Sequence, residues 1–322
     1  MIIVTGGAGF IGSAFVAKLN AMNISDILIV DELGTSDKWK NILGKKFQDY
    51  LHKKDFLEKL LANKFSKVDA VIHMGANSST TEKDVEHLME NNYRYTRRLA
   101  EWSVKKKVRF IYASSGATYG SGEKGFSDDD AVTRELVPLN AYGYSKQIFD
   151  LWALQHSVIK KIAGIKFFNV FGPNEYHKGE MKSLICKAYY QIQNHGEIRL
   201  FKSYNPEYAD GEFVRDFVYI KDCNEVLWWL LNKPAVNGIF NLGTGKARSW
   251  NDLAKAIFAA LELKPNIEYI DMPEDIRKAY QYYTKAATEK LRAAGCTHEF
   301  QSLEDSVKDY VQQYLHPTLR YL

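Results

Sequence analysis

The chain has 322 residues, a formal net charge of +4 and an apolar fraction of 46%, which suits one large domain or two lobes around a substantial core. The mild charge argues against a nucleic-acid binder, because lysine and arginine are scattered or in short runs such as Lys105-Lys106-Lys107. Cys186, Cys223 and Cys296 are far apart and odd in number, which argues against a disulfide framework and against a zinc cluster and fits a reducing cytoplasm. The sequence opens on an expected core strand, so no signal peptide is expected. No apolar run approaches a membrane span.

Ile2-Ile3-Val4 predicts a short buried strand. In the glycine-rich stretch that follows, Gly7, Gly9 and Gly12 satisfy G-x-G-x-x-G, and Gly6, Gly9 and Gly12 its wider variant. Residues 10–21 read as a helix and 27–30 as a second strand, closed by Asp31. Glycines allow a tight turn, approach to a pyrophosphate and close helix packing. The helix N-terminus offers free N–H groups, and the acid can take ribose hydroxyls. This order predicts dinucleotide binding. Residues 31–50 read as loop, 55–63 as helix and 68–73 as strand; 81–105 read as one long helix with Thr81 and Asp84 as a capping box. Further strands are expected at 108–112 and 165–170, with a helix at 140–162 between them. Such alternation implies an α/β fold, a doubly wound Rossmann sheet with ligands beyond its C-terminal strand ends. After Pro173 the alternation weakens. Helices are expected at 181–195, 222–232, up to 261 behind a Ser249 cap, and at 303–315; strands are expected at 197–201, 212–219, 239–242 and 267–270. Trp228-Trp229 reads as packing or an oligomer contact.

The sharpest chemical signal is Tyr142-Gly143-Tyr144-Ser145-Lys146. Tyr142 and Lys146 are four apart on a helix and share a face, whereas Tyr144 and Lys146 do not. An ammonium near a phenol favours phenolate and lowers its pKa, so Tyr142 can take a proton from an alcohol as hydride leaves carbon. Ser115, at the end of its strand, would hydrogen-bond the reacting oxygen.

With these residues the chain resembles the extended short-chain dehydrogenase/reductase family, which works on nucleotide sugars. The Gly6–Gly12 loop, Ser115, Tyr142 with Lys146, Asn169 through Pro173, Arg215 through Val218 and Asn241 through Gly245 fall in the family order. The resemblance implies a Rossmann domain over 1–172, its sheet completed by segments near 213–245, and a mainly substrate-binding lobe over 173–322. Within that family His73 through Asp84, Tyr112 to Ser115, His177-Lys178-Gly179 and Arg292 to Gly295 resemble the ADP-L-glycero-D-manno-heptose 6-epimerases. That likeness implies a cytoplasmic homo-oligomer, typically a pentamer. It would hold NADP, use no metal, and invert C6″ of ADP-heptose for lipopolysaccharide inner-core synthesis.

The resemblance also implies residue roles. Tyr142 and Lys178 become the two acid/base groups, with Lys146 and Ser115 in support. Cofactor contacts fall to Gly6, Gly9, Phe10, Ile11, Gly12, Asp31, Glu32, Lys38, Lys53, Met74, Gly75, Ala76, Asn77, Ser78, Asn91, Asn92, Lys146, Val170 and Lys178. Substrate contacts fall to Ser115, Asn169, Glu180, Lys187, Phe201, Lys202, Ser203, Tyr204, Arg215 and Tyr280, with Arg215 as a diphosphate clamp. Glu180 stands where these enzymes usually have serine, and Lys187 where they have histidine. This new acid and base either compensate each other or signal an altered sugar. Asp31-Glu32 alone would suggest NAD, so Lys38 and Lys53 would have to offset that charge for NADP. The alternatives are a UDP-hexose 4-epimerase type, a 4,6-dehydratase, for which Ala117-Thr118-Tyr119 lacks the acidic pair, or a non-catalytic NADP-binding regulator.

Overall fold

The structure is a computed structural model and describes residues 1–277 and 280–322. Its strands are β1 Ile2–Thr5, β2 Ile27–Asp31, β3 Asp49–His52, β4 Ala70–His73, β5 Arg109–Ser115, β6 Ala163–Phe167, β7 Asn169–Phe171, β8 Ile198–Phe201, β9 Val214–Tyr219, β10 Gly238–Leu242, β11 Ala247–Ser249 and β12 Ile267–Ile270. Seven of them form one parallel sheet in the order β10-β6-β5-β4-β1-β2-β3. Side chains alternate across it. Val4, Ile29, Ile72 and Ile111 enter the core on one face, and Ile3, Leu28, Val71 and Phe110 enter the core on the other. Both faces are covered by helices, which is why the strands read as unbroken apolar runs.

The stretch expected as one strand over 165–170 is two. β6 lies in the large sheet, the chain breaks at Phe168, and β7 joins a second sheet in the order β11-β9-β7. A third sheet pairs β12 with β8. Of the stretch near 213–245 expected to complete the large sheet, only β10 joins it, at the edge beside β6, while β9 lies in the second sheet.

Other expected bounds change for local reasons. The helix expected from 81 starts at Val85, capped by Asp84, which accepts from the His87 amide at 2.9 Å. Glu82 accepts the Lys83 and Asp84 amides and holds 82–84 out of the helix, so Thr81 caps nothing. A π-helical stretch, Met89–Arg94, precedes the α-helix Tyr95–Lys106. The helix expected over 140–162 ends at Gln155, because Ser157 turns left-handed (φ 55°) before a short 3-10 turn. The edge strand β3 lies in the polar stretch expected as loop. It is held by pairing with Leu28–Asp31 rather than by an apolar pattern of its own.

Ser249 caps Trp250–Ala260 in a full capping box with Asp252. Trp228 and Trp229 are half-buried against the main core. Among the described residues, no helix is long and apolar enough to cross a membrane, and no cluster of three His, Cys, Asp or Glu could hold a metal.

Candidate active site

A cleft of about 740 Å³ opens at the C-terminal ends of β1, β4 and β5. Its floor is the glycine turn. Gly6 is left-handed (φ 65°), and a Cβ there would come within 2.5 Å of the Gly75 amide nitrogen; a Cβ at Gly12 would overlap the Gly6 carbonyl oxygen. The turn therefore lies directly against the loop after β4. Helix Phe10–Ala21 begins beside it with Gly9 as cap and no side chain on its first amides, so these N–H groups remain to receive an anion. This cradle fits a dinucleotide pyrophosphate.

Beside it a smaller cavity of about 400 Å³ is lined by Asp31, Glu32, Lys38, Lys53, Asn91 and Tyr95. Asp31 accepts from the Ala8 amide (2.8 Å) and pairs with Lys38 (2.5 Å). Glu32 pairs with Lys53 at 2.6 Å, which holds its carboxyl below the usual range. Both lysines thus meet the acidic pair one to one. Lys53 also donates to Asn91 Oδ1 (2.8 Å), and Asn92 clamps Asn77 by accepting its N–H and donating to its C=O, both at 2.9 Å. The π-helical stretch aims this Asn pair at the loop.

Ser115, Tyr142 and Lys146 line one wall of the cleft. Lys146 is buried and donates to the Ala113 carbonyl at 2.7 Å, not to the phenol. The expected lowering of the Tyr142 pKa is therefore reversed: burial raises it, and the Ser115 hydroxyl only partly opposes that. Burial pulls Lys146 down to about 8, with Asp150 opposing. Lys178 sits on the short turn Tyr176–Met181, with Nζ 5.4 Å from the Phe10 ring centre at the head of the glycine-loop helix. Burial lowers its pKa, and Glu175 opposes.

Gly6, Gly9, Phe10, Ile11, Gly12, Met74, Gly75, Ala76, Asn77, Ser78, Asn169 and Val170 share this cleft. Arg215 does not line it. Its guanidinium donates to the Val214 and Gln281 carbonyls and lies over Trp250 (5.8 Å) and Tyr280 (5.4 Å). Phe201 packs edge-on against Tyr280, while Tyr204 donates to Asp271 at 2.8 Å and lies under Arg277. Lys202 also reaches Asp271 (3.5 Å), and Ser203 folds back onto its own turn. These residues form a second group beside the cleft, joined to it by Trp250, which lines both. Glu180 and Lys187 approach to 3.4 Å outside the cleft lining, with Glu180 fully exposed.

Trp250, Lys182, His177 and Ser183 also line the cleft, although the sequence assigns them no role. Trp250 directly follows the Ser249 cap and His177 stands in the His177-Lys178-Gly179 motif, and these are the signals that point to them.

A family model, the NAD dependent epimerase/dehydratase family, matches residues 2–243. The chain belongs to that family. It is 59% identical over 316 residues to the ADP-L-glycero-D-manno-heptose-6-epimerase of Nitratidesulfovibrio vulgaris strain DP4, covering 98% of each chain. It is 50% identical to the enzyme of that name from Fusobacterium nucleatum, again over 98% of each. The crystal structure of the Helicobacter pylori ADP-L-glycero-D-manno-heptose-6-epimerase superposes with a TM-score of 0.81 at 27% identity, covering 98% of this chain and 96% of that one. Family membership makes the chain an epimerase-type, NAD-dependent enzyme, and its cleft is read in those terms below.

Proposed function

We propose that this enzyme inverts C6″ of ADP-D-glycero-β-D-manno-heptose to give the L-glycero epimer by transient oxidation and re-reduction. The product would serve lipopolysaccharide inner-core synthesis. The supporting observation is that a single cleft holds a pyrophosphate cradle, the Ser115–Tyr142–Lys146 wall and, on a separate element, Lys178. A dinucleotide held by the turn at Gly6, Gly9 and Gly12 and the loop at Met74, Gly75 and Ala76 would supply the chemistry of accepting a hydride from C6″ and giving it back to the opposite face.

Inversion needs proton transfer at the C6″ oxygen with the carbon presented in two ways. The environment pushes the two candidate groups apart. Tyr142 is raised and rests as a proton donor; Lys178 is lowered and gives up its proton more readily. Each transfer contributes about 10²–10⁴ in rate. Ser115 Oγ, beside the phenol, orients the reacting oxygen. Arg215, stacked on Trp250 and Tyr280, keeps N–H groups beyond its two carbonyl contacts that would meet the diphosphate.

We take NADP as the cofactor, with Lys38 and Lys53 meeting the 2′-phosphate by exchanging their Asp31 and Glu32 partners for it. In this scheme residues 173–322 mainly hold the sugar nucleotide. The test is turnover of ADP-heptose beside UDP-galactose, followed by NMR of the sugar protons, for the parent, Tyr142→Phe and Lys178→Met. ADP-heptose epimerisation that falls in both variants supports the scheme. Turnover of UDP-galactose alone refutes the substrate, and unchanged rates in both variants refute the two-base assignment.

A further inference from the structure

Directly behind the Tyr142–Lys146 face lies a buried charge network that the scheme above leaves unused. Tyr142, Lys146 and Asp150 follow at four-residue spacing on helix Ala141–Gln155, so the three share one face. The Asp150 carboxylate accepts from Ser114 Oγ at 2.7 Å and Tyr112 Oη at 2.8 Å, and faces Lys166 Nζ at 3.2 Å. Lys166 Nζ donates to Thr118 Oγ1 (2.7 Å), whose hydroxyl donates to the Ser115 carbonyl (2.8 Å). Asp150 and Lys166 are both fully buried, and Ser114 and Lys166 are register partners across β5 and β6. One carboxylate therefore ties the helix carrying Tyr142 to the strand carrying Ser115, directly through Ser114 and indirectly through Lys166 and Thr118.

We propose that Asp150 is a positioning residue for this reaction: it fixes the Ser115 strand against the Tyr142 helix and places its negative charge one helical turn from Lys146. The inference rests on the assignment of Tyr142 and Lys146 to the chemistry. A buried Asp–Lys pair adds little net stability over an apolar pair, but its field on neighbouring charges is strong where the local dielectric is low. Lys146 has Tyr142 and Asp150 one turn to either side on its own helix, His73 on β4 lies close enough to feel its charge, and Tyr112 on β5 and Lys166 on β6 face the same Asp150 carboxylate. His73 is held neutral, and burial pushes both phenols up, so Asp150 is the anion among them that sustains the Lys146 charge.

The test measures kcat/KM for ADP-heptose epimerisation from pH 6 to 10 with cofactor-loaded enzyme. The variants are Asp150→Asn, Asp150→Glu and the double Asp150→Asn/Lys166→Met. The parent declines above a pH of about 8, where Lys146 loses its proton. Asp150→Asn declines about one unit earlier, the scale set by losing one nearby opposite charge; the double variant, which also loses the Lys166 ammonium, declines earlier by a smaller margin. Asp150→Glu keeps the parental limb. Asp150→Asn strands a buried lysine and loses thermal midpoint; the double variant regains the midpoint but not the profile. If the single variant does not fold, the double one carries the result. An active parent with an unmoved limb in the double variant overturns this inference alone. A parent without epimerase activity overturns the reaction assignment and this inference with it.

Discussion

Replacing Gly6 by alanine separates two effects that glycine serves in the cradle. Gly6 is left-handed at φ 65°, and its Cβ would meet the Gly75 nitrogen at 2.5 Å, where a tolerable contact needs 3.0 Å. The two backbones must therefore part by at least 0.5 Å (3.0 − 2.5). Neither partner is a flexible side-chain end, so the movement falls on the floor of the cofactor cleft. The left-handed backbone costs about 1–2 kcal/mol and the overpacking about 1–3 kcal/mol more. Gly44 is the control: it is also left-handed (φ 72°) but has nothing within 4 Å of its Cβ. Gly44→Ala should lose only the backbone share and bind cofactor as the parent does. Gly6→Ala should lose both and weaken NADP binding about ten-fold or more, the equivalent of 1.4 kcal/mol in the cradle. Calorimetric titration with NADP gives the affinity, and urea midpoints give the stability. Parental affinity in Gly6→Ala would refute the claim that this contact shapes the cofactor site.

Two further outcomes follow from the charges around the cleft. His73 is buried between Thr5 Oγ1 (2.5 Å) and Thr96 Oγ1 (2.8 Å), and burial drives its pKa from 6.5 to about 3. The unfolded chain takes up that proton first. The stability His73 contributes is therefore present above pH 6.5 and lost on acidification towards about 3, in total on the order of 3–5 kcal/mol. Urea midpoints between pH 4 and 7 should fall more steeply for the parent than for His73→Gln; equal slopes would contradict a neutral native histidine. Lys53→Ala should cost about ten-fold in NADP affinity by losing one charge-assisted contact to the 2′-phosphate, while NAD affinity stays nearly unchanged. An equal loss for both cofactors would place Lys53 away from that phosphate.

The legible part of the molecule was the part governed by short-range rules. Ile2-Ile3-Val4, the glycine turn and Asp31 form one continuous unit, so local pattern sufficed for β1, its helix and β2. Tyr142 and Lys146 were readable because a helix converts four-residue spacing into a shared face. What escaped depends on distant partners. β3 has no apolar alternation and exists by pairing with β2. The break at Phe168 reflects two sheets competing for one stretch of chain, which periodicity within that stretch cannot reveal. The direction of the Tyr142 shift was misread because Lys146 has a competing acceptor, the Ala113 carbonyl, on another strand. The approach of Glu180 to Lys187 joins two positions seven residues apart whose contact no local pattern reveals.

The most direct measurement of the central claim uses ADP-D-glycero-β-D-manno-heptose carrying deuterium at C6″, incubated with the enzyme in ordinary water and no added reductant. Hydride removal and return within one cleft predicts the L-glycero product with its deuterium still on C6″. Inversion with the label washed out into solvent would mean that C6″ is deprotonated rather than oxidised, and would contradict the account.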